Sequence, residues 1–525
     1  MPLLSVQNLS VSIGDNTLVD DISLTIDHGD VFGLAGASGS GKSMTALALM
    51  GLLPPQAICS GQALFNGHDL LQSSEKTMRS LRGRQISMIF QEPMTALNPL
   101  MTITDQVAEA ITIHAGQDNN IHDDAPDDAH ERAMALLDRV GVVGTTNHQH
   151  RYPHELSGGQ RQRVMIAQAI ALKPKLLIAD EPTTALDVTT QAAILKLLAQ
   201  LAEEDDMAMM LITHDLAVLA ENTKQLAVMN AGQIKDHGAT KTVFTSGEFA
   251  YTASLIKAAQ FTPIKRPQKP RKREASPLLA VDQAVVTYPK STRPAVDQVS
   301  FTITPQESLG LVGASGCGKS TLARAILGLE PLTSGGIAIN GDPITTGQDI
   351  KSATRAMMQI VFQDPFGSFN PRHRVGRLIT EPFHLMPQPP RDQNQAIAQA
   401  LMDVGLRPDD QHKYIHEFSG GQRQRLAIAR ALMIKPNLII LDEAVSALDM
   451  AIKAQIIDLL AELREKHNLS YLFISHDLSV IKAITDRVMV MDQGQIIEQG
   501  DTETVMTSPQ HPITQNLIRA IPRLP

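Results

Sequence analysis

The chain has 525 residues with a formal net charge of −9, set by 46 Lys+Arg against 55 Asp+Glu, and this balance argues against nucleic acid as the main partner. Its two cysteines, Cys59 and Cys317, exclude a disulfide framework, a zinc knuckle and a cysteine-ligated cluster. No apolar run approaches the roughly 20 residues of a membrane span, and Met1-Pro2-Leu3-Leu4 carries no charged leader, so no signal peptide is expected and a cytosolic protein fits.

In chain order, the apolar run Val31 to Ala35 reads as a buried strand, and Met44 to Leu52 follows helical spacing. Between them Gly36 to Ser43 spells G-A-S-G-S-G-K-S, which fits G-x-x-x-x-G-K-[ST] in full. Its glycines let the backbone curl until its N–H groups face a triphosphate, and the helix N-terminus adds positive charge. Gly36, Ser38, Gly39, Gly41, Lys42, Ser43 and Met44 are therefore expected at the nucleotide, with Lys42 on the outer phosphates and Ser43 on Mg²⁺. The stretch Asp118 to Glu131 is acidic, contains Pro126 and reads as a solvated surface loop. The clustered His122, Asp123 and Asp124 read as part of that loop rather than as a metal site.

Ser157-Gly158-Gly159-Gln160 opens an amphipathic stretch over Arg161 to Leu172, a second helix N-terminus suited to phosphate. Asp180 ends an apolar run that reads as a strand, where a carboxylate can bind Mg²⁺, and the adjacent Glu181 can orient or deprotonate the attacking water. Ile194, Leu197, Leu198 and Leu201 follow the spacing of a core-facing helix. Met209 to Thr213 reads as a strand ending before His214, and Ala227 to Ile234 as a hairpin turning near Gly232.

Apart from the acidic stretch, which accounts for most of the extra length of the first copy, these features return. Gly313, Ser315, Gly316, Gly318, Lys319, Ser320 and Thr321 repeat the phosphate loop; Ser419-Gly420-Gly421-Gln422, Asp442, Glu443 and His476 repeat the rest. From Ser157 to His214 the offset to the second copy is constant, so nothing is inserted or deleted there. The repeat divides the chain into residues 1–261 and 278–525, two domains rather than the three or four that about 150 residues per domain would give. Residues 262–277, rich in proline, lysine and arginine, read as an extended tether.

Taken together, the phosphate loops, Gln91 and Gln363, the two S-G-G-Q segments, the Asp-Glu pairs, Ala185-Leu186-Asp187 with Ala447-Leu448-Asp449, and the two histidines resemble the ATP-binding-cassette ATPases over nearly the whole chain, twice. The resemblance implies an α/β P-loop NTPase fold with two tandem nucleotide-binding domains, each with a helical subdomain, binding ATP and Mg²⁺. It implies a head-to-tail sandwich in which ATP on Lys42 is closed over by Ser419 to Gln422, and ATP on Lys319 by Ser157 to Gln160. Gln91 and Gln363 would join the metal, His214 and His476 would contact the γ-phosphate, and Tyr288 would stack on adenine where the first copy has Ile13.

The segments Gln91 to Pro99 and Gln363 to Pro371, with Arg151 to Glu155 and His511 to Thr514, resemble the oligopeptide/dipeptide/nickel import family, in a fused form serving peptide and microcin C uptake. That likeness implies two transmembrane permease subunits, an extracytoplasmic solute-binding protein and a place at the cytoplasmic face of the bacterial inner membrane. The iron–sulfur cluster of many dipeptide ATPases is not expected, for want of cysteines. Import of glutathione or nickel is an alternative in the same class, and a soluble tandem ATPase on ribosomes one from another class. The copies differ in Ala444-Val445 against Pro182-Thr183 and in Phe418 against Leu156.

Overall fold

Apolar runs make the central strands of the first half, β3 (Val31–Gly36), β6 (Ile86–Ile89), β7 (Leu176–Asp180) and β8 (Ala208–Thr213), and more polar segments make β1 (Leu4–Ile13), β2 (Asn16–Ile26), β4 (Ala57–Phe65), β5 (His68–Asp69), β9 (Gln225–Asn230) and β10 (Gln233–Ala239). The computed structural model describes residues 1–114, 126–142, 150–184, 186–245, 250–259, 276–289, 291–344, 350–446 and 448–524. These fall into two compact units, whose main bodies are Met1–Leu186 with Thr190–Lys257, and Ala258–Ile521.

In the first unit an antiparallel sheet has the order β2-β1-β4-β5, and a six-stranded sheet the order β10-β9-β3-β8-β7-β6. β3 lies between β8 and β9 and pairs with both in parallel, while β10 closes one edge as the antiparallel arm of a hairpin. Side chains alternate across the sheet. Leu176 and Ile178 of β7 enter the core shared with the antiparallel sheet, and Leu177 and Ala179 enter a second core on the other face. A strand buried on both faces reads as a continuous apolar run, which is why Leu176 to Asp180 shows no period of two.

The helices that bear on the site are α1 (Lys42–Leu49), α2 (Ile103–Thr112), α3 (Pro126–Arg139), α4 (Gly158–Ile170), α5 (Val188–Glu204) and α6 (Leu216–Asn222). The surface loop expected up to Glu131 is corrected in its last part, where α3 already starts at Pro126. Proline is tolerated in a first helical turn because its missing N–H would have no partner there. Ala129, Ala133 and Leu137, at four-residue spacing, bury into the core with Val107 and Ile111 of α2, and His130 Nε2 lies 3.0 Å from Asp105 Oδ1. His122, Asp123 and Asp124 lie outside the described residues. Among the described residues no group of His, Cys, Asp or Glu is arranged to hold a metal by itself. On α5, Ile194, Leu198 and Leu201 are buried as expected. Leu195 is buried too, and Leu197 only partly.

The second unit repeats this plan with β11 (Leu279–Val286), β12 (Val296–Ile303), β13 (Ser308–Val312), β14 (Ser334–Ile339), β15 (Asp342–Pro343), β16 (Met358–Val361), β17 (Leu438–Asp442), β18 (Ser470–Ile474), β19 (Arg487–Asp492) and β20 (Gln495–Asp501). Its sheets have the orders β12-β11-β14-β15 and β16-β17-β18-β13-β19-β20, the same topology. The helices used below are α7 (Lys319–Ile326), α8 (Val375–Ile379), α9 (Gln393–Asp403), α10 (Gly420–Leu432), α11 (Met450–His467) and α12 (Leu478–Ile484). Ile456, Leu459, Leu460 and Leu463 of α11 are all buried. Tyr471 is fully buried and satisfies its hydroxyl by donating to Leu460 O at 2.8 Å. Leu156 and Phe418 both sit 4% exposed in corresponding cores, so that difference between the copies is one of packing. The tether read over 262–277 lies outside the described residues except for Ser276 and Pro277. No described helix is long and apolar enough to cross a membrane.

Two candidate nucleotide-hydrolysing sites

β3 delivers Gly36 and α1 begins at Lys42, so the intervening loop must turn the chain tightly. Gly36 and Gly41 have φ of 154° and 103°, where an L side chain is strained. They also have no room for one: a Cβ at Gly36 would lie 2.5 Å from Met229 O, and at Gly41 2.6 Å from Leu18 O. At Gly313 and Gly318 the corresponding distances are 2.2 Å to Met491 O and 2.1 Å to Ala295 O. Ser38 and Gly39, like Ser315 and Gly316, stand exposed at the crown of the loop.

Lys42 is buried, and its Nζ donates to Gly36 O and Ala37 O at 2.9 Å each and to Ser40 Oγ at 3.4 Å. Lys319 donates to Gly313 O at 2.9 Å and Ala314 O at 2.8 Å, with Cys317 Sγ at 3.8 Å. Each ammonium is thus folded over its own loop, beside the N–H groups of a helix start. A helix N-terminus alone would favour thiolate at Cys317, which lies inside the second phosphate loop. It is 6% exposed, and burial pushes its thiol up despite the Lys319 charge, so the position does not favour thiolate.

Asp180 ends β7 at 3% exposure, and its Oδ1 has no hydrogen-bond partner. Burial pushes its carboxyl up, against a hydrogen bond with Ser43, and the Glu181 charge adds to the rise. Asp442 is raised for the same first reason and by Glu443, with Ser320 Oγ 3.4 Å from its Oδ1. A buried carboxylate beside a second one, with an unused oxygen and a hydroxyl alongside, is an all-oxygen donor set of the kind Mg²⁺ takes.

Glu181 and Glu443 follow in left-handed backbone conformation, with φ of 47° and 50°, and each donates its N–H to the neighbouring strand, at Ile212 O and Ile474 O. Glu181 Oε1 lies 3.1 Å from His214 Nδ1, while its Oε2 accepts from Gln91 Nε2 at 2.9 Å and Thr184 Oγ1 at 2.8 Å. Burial alone would push this carboxyl up, but the His214 hydrogen bond and charge, Thr184 and Lys42 outweigh it and bring it to about 2. Glu443 is likewise raised by burial and lowered further by His476 and Lys319, with a net shift downward. His476 Nδ1 is 3.5 Å from Glu443 Oε1.

The histidines are placed by the helices that follow them. Asp215 Oδ1 caps α6 by accepting from the N–H of Ala217 and Val218, and Asp477 caps α12 in the same way while pairing with Lys453 at 2.8 Å. Gln91 and His214, expected on metal and phosphate, meet on Glu181. Gln363 is exposed at the mouth of a groove of about 610 Å³ that also includes Ser320 and Asp442. Tyr288 is half-buried with its hydroxyl 3.2 Å from Thr321 Oγ1, and Met44 packs partly into the core.

Each S-G-G-Q segment forms a capping box. Ser157 Oγ accepts from Gln160 N at 3.3 Å while Gln160 Oε1 accepts from Ser157 N at 3.0 Å, and Ser419 and Gln422 do the same at 3.4 and 3.0 Å. The side chains of Gln160 and Gln422 are therefore spent on the helix start. Gly158 and Gly420 are exposed; Gly159 and Gly421 allow close helix contact, since a Cβ there would lie 2.5 Å from Thr190 and 2.6 Å from Ile452. Thr184 was missed in the sequence. Its only signal is a hydroxyl residue three positions after the glutamate in both copies, Thr184 and Ser446.

A phosphate loop, a strand-end aspartate beside its serine, and a glutamate next to a histidine, twice in one chain, define a P-loop nucleotide hydrolase with two sites. The model of the ABC transporter family matches residues 19–184 and 296–446, and the chain belongs to that family. It is 42% identical over 544 aligned residues to the peptidoglycan transport ATP-binding protein YejF of Agrobacterium fabrum, covering 99% of this chain and 96% of that one. It is 42% identical to an uncharacterised ABC transporter ATP-binding protein YejF of Escherichia coli, with 98% and 99% covered. To the glutathione import ATP-binding protein GsiA of Pectobacterium atrosepticum it is 41% identical, with 99% and 89% covered. The chain is an ATP-binding, ATP-hydrolysing subunit that supplies the energy of a transporter.

Proposed function

We propose that this chain powers an importer of short peptides, working at the cytoplasmic face of the bacterial inner membrane with two membrane-spanning permease subunits and, through them, an extracytoplasmic solute-binding protein. The observation that carries the reading is the full-length likeness to relatives named for peptidoglycan transport and for glutathione import, both peptide-bearing solutes. The GsiA likeness makes glutathione itself the second reading. The test is ATP-driven uptake into vesicles holding the chain and its permeases: labelled short peptides enter, and uptake of glutathione alone, or of neither, counts against the proposal.

In this reading Lys42 and Lys319 leave their loop carbonyls for the outer phosphates, and the loop N–H groups cradle the rest. Ser43 with Asp180, and Ser320 with Asp442, would hold Mg²⁺, with Gln91 and Gln363 offering amide oxygens; the chemistry it would supply is neutralisation of phosphate charge. Glu181 and Glu443 orient the attacking water and take up its proton, and His214 and His476 keep those carboxylates aimed.

Adenine recognition divides the two sites. Tyr288 is held against α7 through Thr321 and presents a π-face, whereas β1 ends in the aliphatic Ile13. The Lys319 site is expected to bind ATP several-fold more tightly, a fraction of the roughly 1–3 kcal/mol of base stacking, because isoleucine still packs on the base. Nucleotide titration of Lys42→Ala and Lys319→Ala variants measures each site, and equal affinities would remove Tyr288 from this role.

Coupling to the permeases is assigned to the segments after Gln91 and Gln363. Phe366 is 44% exposed with the Arg423 guanidinium 5.0 Å over its ring, while Leu100 is 85% exposed in the first unit. Unlike surfaces of this kind would take two unlike membrane subunits. Phe366→Asp is expected to keep the ATPase rate of the isolated chain within about twofold while abolishing peptide uptake, since an added carboxylate must be desolvated on docking. Normal uptake in this variant would show that the surface carries no coupling.

A further inference from the structure

The halves repeat the same residue types around their glutamates but not the same contacts. Thr184 Oγ1 donates to Glu181 Oε2 at 2.8 Å. Ser446, at the equivalent position, turns its hydroxyl to the backbone and donates to Glu443 O at 2.9 Å. Gln91 Nε2 and His214 Nδ1 complete the hold on Glu181 at 2.9 and 3.1 Å, whereas His476 Nδ1 stands 3.5 Å from Glu443. The side chains account for the difference. A β-branched threonine is stiff at χ1 and keeps its hydroxyl in one direction, while serine readily turns to a nearby carbonyl. Pro182, with its fixed φ, also stiffens the first turn where the second has Ala444.

We propose that Thr184 is a positioning residue that holds Glu181 in its water-orienting pose, and that Ser446 has no such part at Glu443, so that the two ATP sites aim their bases by different means. The inference rests on Glu181 being the group that orients water. Thr184 leaves the second oxygen of Glu181 to His214 and fixes the carboxylate plane.

The test uses the full chain with MgATP and reads kcat and KM separately. In the otherwise unaltered chain, whose turnover needs Glu181, Thr184→Val lowers kcat roughly tenfold, the size of one lost hydrogen bond to a charged group. KM stays within about twofold, and Thr184→Ser restores most of the rate because it keeps the hydroxyl. Ser446→Val leaves the rate unchanged. Should the valine variant unfold, Thr184→Ala is read by the same criteria. Undiminished turnover in Thr184→Val, equal loss in the valine and serine variants, or an equal loss in Ser446→Val overturns the inference. Glu181→Gln at full turnover would instead overturn the role of Glu181.

Discussion

Glu181→Gln is expected to cut ATP turnover by about two orders of magnitude or more while leaving ATP binding near that of the unaltered chain, and Glu443→Gln to do the same. The substitution keeps the volume and removes the charge. At position 181 it also replaces an acceptor carboxylate, held by Gln91, Thr184 and His214, with an amide that brings two donors of its own. Neither change removes the hydrogen bonds that Lys42 and Lys319 donate to their phosphate-loop carbonyls. Phosphate release and equilibrium nucleotide binding, measured on the same preparations, separate the two effects. Near-normal hydrolysis in either variant would assign that site to binding alone.

The second large effect is expected at the turns of the phosphate loops. Gly313→Ala or Gly318→Ala puts a methyl group 2.2 or 2.1 Å from the carbonyl oxygens of Met491 or Ala295, backbone atoms of strand and loop that cannot swing aside. Either the loop or its neighbour must move, at a cost of roughly 2 kcal/mol or more, and the cradle of N–H groups goes with it. ATP affinity at that site should fall at least tenfold. Gly316→Ala is the control: its φ is 79° but nothing lies within 4 Å, so only a backbone penalty of about 1 kcal/mol is expected. Nucleotide titration and thermal unfolding of the three variants test the contrast, and equal behaviour would mean that packing around the loop is softer than these distances imply.

Much of this was legible because it is local. The strand, loop and helix around Lys42 are specified by residues within a few positions of one another, and the second copy supplied an internal check at Lys319. Asp180 and Asp442 could be placed at strand ends from the apolar runs before them. What escaped depended on partners distant in the chain. That Gln91 Nε2 would reach Glu181 is a meeting of residues that follow separate strands, and no pattern near Gln91 announces it. Composition misled at Pro126, where acidic, polar residues around a proline read as loop although Ala129, Ala133 and Leu137 supply a buried stripe. At Cys317 the helix N-terminus was visible in the sequence and the burial that outweighs it was not. The hydroxyls of Thr184 and Ser446 look interchangeable as letters. The extra methyl group that distinguishes their contacts acts only once the backbone is folded.

The left-handed backbone of Glu181 and Glu443 has a consequence for anyone seeking to harden this protein. Such a conformation costs a side-chain-bearing residue on the order of 1–2 kcal/mol, which glycine would recover. Thermostability engineering that replaces positive-φ residues by glycine would therefore nominate these two positions among its first choices, and each success there would yield a sturdier chain with a silenced motor.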